Sequence, residues 1–172
     1  MTTAARPFAN PVRALAPGAL ALGLAVAAVV GGALAFEHIG GYIPCALCLE
    51  QREPYYVAAP VLLIAAALAA FGRVGVSRVL VALGGLAMAY AAYLGAYHAG
   101  VEWGWWPGPT DCAAAAGPID ASGGLLGQLD ARPPSCDRAA GRFLGLSFAG
   151  WQVVAAVPLA IASFALAAKA RA

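Results

Sequence analysis

Apolar positions gather in four uninterrupted blocks, Leu15 to Phe36, Tyr55 to Phe71, Val79 to Tyr97 and Phe148 to Ala168, none containing Asp, Glu, Lys or Arg. At about 1.5 Å rise per residue, blocks of 17 to 22 residues reach roughly 25 to 33 Å, the hydrocarbon thickness of a bilayer. The pattern predicts four membrane helices, at about 15–36, 50–71, 77–97 and 148–168, the second starting upstream of its apolar block near Cys48. Polar segments at about 37–49 and 98–147 form the two longer connections. Pro60 and Pro158 fall inside spans and predict kinks that neighbouring helices accommodate. Gly23, Gly31, Gly32, Gly84 and Gly85 predict places where helices approach closely.

Charge sets the orientation. The N-terminus (Arg6, Arg13), the turn between spans two and three (Arg73, Arg78) and the C-terminus (Lys169, Arg171) carry six basic residues and no acid. Basic flanks stay cytoplasmic, so both termini are expected inside the cell. The opposite side holds Arg52, Arg132, Arg138 and Arg142 against all eight acids, together with both histidines and all four cysteines. Ala33-Leu34-Ala35 resembles a signal-peptidase site, but the preceding apolar block is longer than a typical signal sequence, so the first span is expected to remain.

Composition agrees with a membrane-embedded chain of one domain's length: 172 residues, 62% hydrophobic and 10% charged. A net charge of +2 with scattered basic residues gives no footprint for nucleic acid. The expected class is an all-α membrane protein, a four-transmembrane-helix bundle with two periplasmic loops.

On the outer side cysteines are able to oxidise. Cys45 and Cys48 form a C-x-x-C pair, whose ring is too small for a disulfide to stabilise much, and such pairs are more often redox-active than structural. Cys112 and Cys136 are separated by 23 residues rich in Gly, Ala, Pro and Asp, a tether on which a disulfide can travel to other thiols. Two structural staples or a four-cysteine zinc site are the alternatives; zinc fits poorly because the second pair is widely spread, and no metal site is expected. Arg52, four residues after Cys48, lies one helical turn on and favours a thiolate or an anionic ligand, with Glu50 and Glu53 placed to offset its charge; the alternative is an interfacial anchor. Electrons leaving the pair need an acceptor, and motifs for covalent haem, dinucleotides or intramembrane haem are missing. A lipid-soluble quinone satisfies the requirement.

The stretches "FEHIGGYIPCALCLEQR" and "CDRAAGRFLGLSFAGWQ", with the distant cysteine pair between them, resemble the bacterial disulfide bond formation protein B (DsbB) family over nearly the whole chain. The resemblance implies a quinone-dependent thiol oxidase of the inner membrane, using ubiquinone or menaquinone. It implies that Cys112 forms a mixed disulfide with a DsbA-like periplasmic oxidase, that Cys136 then attacks Cys45, and that Cys48 faces the quinone. Arg52 matches the arginine expected to support quinone binding, and His98 matches a position near the quinone. Trp103, Trp105 and Trp106 are expected in the interfacial aromatic belt. Ala121 to Leu129 is a candidate amphipathic segment on the membrane, weakened by Gly123 and Gly124. Two rival functions are a membrane scaffold whose disulfides merely staple its loops and a paralogue serving a dedicated client.

Overall fold

The computed structural model describes residues 11–110, 112 and 135–170. Its elements are α1 (Pro11–His38), α2 (Ala46–Glu50), α3 (Glu53–Ala70), α4 (Val74–Glu102), β1 (Arg142–Phe143), β2 (Leu146–Ser147) and α5 (Phe148–Lys169). Four helical stretches, Ala14–His38, Ala46–Ala70, Val74–Glu102 and Phe148–Lys169, are long and apolar enough to cross a bilayer. Hydrocarbon offers the backbone no water, so each spanning segment satisfies its own peptide groups as a helix. The helices run unbroken through Pro17, Pro60 and Pro158.

Around the bundle α1 packs on α3, α3 on α4 and α4 on α5, whereas α1 and α5 meet more sparsely. Leu15, Val26, Leu62, Val81 and Met88 fill the core among alanines. At Gly84 an added Cβ would lie 2.7 Å from Leu62 Cδ2, and at Gly23 2.9 Å from Leu63 Cδ2; at Gly85 it would meet Ser163 and Phe164 at 3.1 Å. These three glycines therefore permit close approach, as expected. Gly31 and Gly32 do not: no atom of the described residues lies within 4 Å of a Cβ built at either, because both sit on α1 away from its tight partners.

The span limits also need correction. Span three begins at Val74 and continues to Glu102, so His98 belongs to the helix and not to the outer connection. Counting apolar residues stopped at a histidine, but nothing breaks the backbone before Gly104, whose φ of 72° takes the left-handed region. On α1 the helix likewise runs on to His38. The second span starts at Ala46, close to the Cys48 expected, although Gln51 and Arg52 form a turn between α2 and α3.

At the cytoplasmic end expected from charge, α3 and α4 are joined through Gly72, with φ at 78°. There Arg78 Nε donates to the carbonyl of Ala167 at 3.2 Å and ties α4 to α5. At the other end β1 and β2 pair Arg142 with Ser147 and Phe143 with Leu146. Leu144 (φ 50°) and Gly145 (φ 83°) supply the two left-handed residues that such a tight hairpin needs. Ser147 then caps α5, accepting from Gly150 N at 3.2 Å, and Trp151 Nε1 donates to Phe143 O at 2.9 Å.

Tyr90, Tyr93, Tyr97 and Trp106 stack in series beside α4, their ring centroids 6.3, 6.5 and 6.0 Å apart. Trp106 Nε1 donates to Tyr97 O at 2.9 Å. Trp103, Trp105 and Trp106 are all exposed, as residues of an interfacial belt are.

Gly84→Val should destabilise the bundle by about 1–3 kcal/mol through overpacking against Leu62. Gly31→Ala should be neutral or stabilising by up to about 1 kcal/mol, since it removes a helix-interior glycine in open space. Unfolding midpoints in detergent titrated with SDS check both, and equal losses at the two positions would contradict this packing.

Candidate functional site

Cys45 sits at the N-cap of α2 in extended backbone, and its sulfur accepts a hydrogen bond from Cys48 N at 3.2 Å. This turn folds the C-x-x-C pair back on itself, both thiols being free. The Cys45 thiol is pushed well above its ordinary range, first by its hydrogen bond with the Cys48 side chain and then by burial. Cys45 is therefore the sulfur of the pair that keeps its proton.

The helical extension of α4 brings His98 beneath this turn. Its Nε2 lies 3.7 Å from Cys45 Sγ, and its Nδ1 is hydrogen-bonded by the side-chain amide of Gln51. On the other side Nε2 lies 3.9 Å from Glu102 Oε1, one helical turn further along, both side chains being 4% exposed. Glu102 Oε2 is buried and has no hydrogen-bond partner among the described residues. Gln152 Nε2 of α5 donates to Gln51 O at 3.0 Å, so the turn between α2 and α3 is held from two helices at once.

Cys112 and Cys136 form a disulfide with Cα atoms 5.4 Å apart. Both are buried, and they share one apolar cluster with Cys45, Leu47 and Val101, against which Cys48 and Tyr97 pack. All four cysteines, far apart in sequence, thus converge. The tether between the second pair, including Ala121 to Leu129, lies outside the described residues.

Arg52 forms an ion pair with Glu37 at the end of α1. The expected offset by Glu50 and Glu53 is corrected: those two are exposed to solvent, and extending α1 to His38 delivers Glu37 to the guanidinium instead. The pair fastens α1 to the start of α3 across the Ile39–Cys45 connection. Arg52 and Cys48 still share a face, since both border one cavity.

That cavity, about 360 Å³, has an apolar wall from α1 (Ala28, Gly32, Phe36) and from α5 (Phe148, Ala155). Its polar end is made by Cys45, Cys48, Gln51, Arg52, His98, Glu102 and Gln152, and Arg138 reaches it from the segment after the disulfide. The volume is that of a small-molecule site. It occupies the sparse seam between α1 and α5, where Gly32 leaves room that a side chain would fill. None of Trp103, Trp105 and Trp106 borders it.

All six residues singled out from sequence therefore meet directly or through one neighbour: Cys45, Cys48, Arg52 and His98 line the cavity, and Cys136 with Cys112 packs beside it. Glu37, Gln51, Glu102, Arg138 and Gln152 went unassigned. Glu102 carried a signal, its i+4 spacing from His98, which was hidden by ending the third span too early; the glutamines carried none.

Residues 16–166 match the family model described as Disulfide bond formation protein DsbB. No curated protein and no solved structure matches the chain.

With the Cys45/Cys48 pair reduced, iodoacetamide should alkylate Cys45 poorly at pH 8.5, near the ordinary thiol pKa of about 8.5, because its proton is held by Cys48 and burial. Peptide mass spectrometry after timed quenching reads this. Rapid modification of Cys45 at that pH would contradict the assignment.

Proposed function

The chain belongs to the DsbB family of disulfide bond formation proteins, and on that premise we propose that it is a quinone-dependent thiol oxidase of the bacterial inner membrane, regenerating a DsbA-like periplasmic disulfide donor. One observation carries the reading: a free C-x-x-C pair at the polar end of an otherwise apolar cavity, packed in one cluster with the Cys112–Cys136 disulfide. The six basic residues that stand without any acid, at the two termini and at Arg73 and Arg78 where α3 gives way to α4, support cytoplasmic termini and periplasmic cysteines.

In the proposed relay a thiolate of the soluble partner attacks Cys112, breaking its bond to Cys136 and forming a mixed disulfide. The partner's second thiol resolves that bond, leaving Cys112 and Cys136 reduced and the partner oxidised. Cys136 then attacks Cys45 of the oxidised first pair, releasing Cys48; Cys112 closes on Cys136 and frees Cys45. Two electrons and two protons have then reached Cys45 and Cys48, the thiol and disulfide pattern this structure has.

The cavity's residues fit a quinone. Its walls from α1 and α5 suit an isoprenoid-bearing ring, and Arg52, Gln51 and His98 offer donors to ring oxygens at the same end as Cys48. A bound quinone supplies a two-electron, two-proton acceptor soluble in the bilayer. Cys48 presents its sulfur to that end of the cavity, His98 stands within reach of the Cys45 proton, and burial keeps water away from both. Ubiquinone and menaquinone satisfy this geometry equally.

The purified protein in detergent, supplied with reduced thioredoxin-fold oxidase, should bleach quinone absorbance, and Cys48→Ser should reduce that rate to background while all four spans remain inserted. Absence of quinone reduction by the unaltered protein would overturn the reading in favour of a scaffold stapled by disulfides. Arg52→Ala should raise the apparent KM for quinone about tenfold, the equivalent of one charge-assisted hydrogen bond, with a smaller effect on thermal stability. In a Cys136→Ala variant, Cys112 should trap its soluble partner as a mixed disulfide; a protein other than a DsbA-like oxidase on Cys112 would mark a paralogue with a dedicated client.

A further inference from the structure

Spacing alone sets zinc aside, because the second cysteine pair is too spread to form a knuckle. Folding assembles a different donor set. Cys45 Sγ, Cys48 Sγ and an imidazole nitrogen of His98 all lie within 4.8 Å of one another, Cys45 and His98 buried and Cys48 half-buried. Glu102 stands next to them with Oε1 3.9 Å from His98 Nε2, and its second oxygen is buried without a partner among the described residues.

We propose that the reduced Cys45/Cys48 pair, His98 and Glu102 form a four-coordinate site for a thiophilic divalent cation such as zinc or cadmium, which locks the pair as a dithiolate and stops electrons leaving it. A tetrahedral ion with sulfur at about 2.3 Å and nitrogen or oxygen at about 2.0 Å places neighbouring donors roughly 3.3–3.8 Å apart. The Cys45–His98 separation of 3.7 Å already meets this, and the His98–Glu102 separation of 3.9 Å nearly does. Among the two sulfurs and the imidazole nitrogen, which all lie within 4.8 Å, closing the widest gap takes at most about 1 Å, within the swing of the half-buried Cys48 side chain, while Glu102 approaches from the His98 side.

The surroundings favour the same ligation. Gln51 holds His98 through Nδ1, which turns Nε2 toward the sulfurs, the usual outer support of a metal-bound imidazole. With an ion bound, Nδ1–H donates to the amide oxygen of Gln51. Arg52 faces the site already engaged by Glu37, and Arg138 borders the cavity as a counter-charge to two thiolates and a carboxylate around one dication. An unpartnered buried carboxylate oxygen is costly, and a cation beside it removes that cost.

Binding transfers no electrons. Two thiols lose two protons to solvent as two sulfur–metal bonds form. The disulfide form of Cys45 and Cys48 has no thiolate to offer, so the site exists only in the reduced state. Nothing in this depends on a quinone.

The test uses the full chain in detergent with Cys112→Ser and Cys136→Ser, so that every thiol signal comes from the first pair, and cobalt(II) as spectroscopic probe in the absence of quinone. The reduced protein should take up one cobalt per chain, with the intense visible bands of a tetrahedral ion, a near-ultraviolet thiolate-to-cobalt band and release of two protons; zinc should displace it. The same protein oxidised at Cys45 and Cys48 should show none of these, a comparison that needs no further substitution. His98→Ala should weaken cobalt binding at least tenfold, and Glu102→Gln should weaken it less. Weak octahedral spectra, equal binding by oxidised and reduced protein, or unchanged affinity in His98→Ala would overturn the proposal. If cobalt binds as described but the unaltered protein reduces no quinone, the metal site stands and the oxidase reading falls; the reverse outcome separates them the other way.

Discussion

One buried imidazole joins the cysteine-bearing end of this bundle. His98 reaches from α4 to the side chain of Gln51 on one nitrogen and toward Cys45 on the other, while Gln152 of α5 holds the backbone of Gln51. Two helices, α4 and α5, thereby fix a five-residue helix, α2, that is too short to be stable alone. If the imidazole is lost, the C-x-x-C turn keeps the Gln152 hydrogen bond, the Arg52–Glu37 pair and Leu47 packing, but nothing among these holds Cys45 against α4.

The bundle is unevenly packed, and its cavity lies on the loose side. Glycines at 23, 84 and 85 draw helices together where α1 meets α3, α3 meets α4 and α4 meets α5. Between α1 and α5 the glycine at 32 faces open space instead, and the cavity occupies that seam. A bilayer gives little hydrophobic drive for helix association, so stability here rests on close contact and on a few internal hydrogen bonds such as Ser77 Oγ to Ala65 O at 2.8 Å. A cavity costs least where those contacts are already sparse.

Much of this was legible in the sequence. Four charge-free blocks gave four spanning helices, and the sided distribution of charge put every cysteine and histidine at one end. Cys45, Cys48, Arg52 and His98 were singled out and do converge. What sequence patterns missed were polar residues whose roles arise only when helices meet: Gln51 and Gln152 join α2 and α3 to α5, and Glu37 reaches Arg52 because α1 runs further than its apolar block. Glu102 was lost to a boundary error, since hydropathy falls at His98 while the backbone continues to coil until Gly104. Gly31 and Gly32 show the opposite failure, small residues read as contacts where the structure leaves space.

The ladder of Tyr90, Tyr93, Tyr97 and Trp106 has a consequence for depth. Rings of this kind prefer the headgroup region, and sliding α4 by one turn would move each of them about 5.4 Å along the bilayer normal. Tyr97 immediately precedes His98, so the imidazole is pegged to the lipid surface as firmly as the rings are. In a thicker membrane α4 must then lean instead of sinking, and the sulfur turn above His98 keeps its draught at the waterline whatever the lipid beneath it.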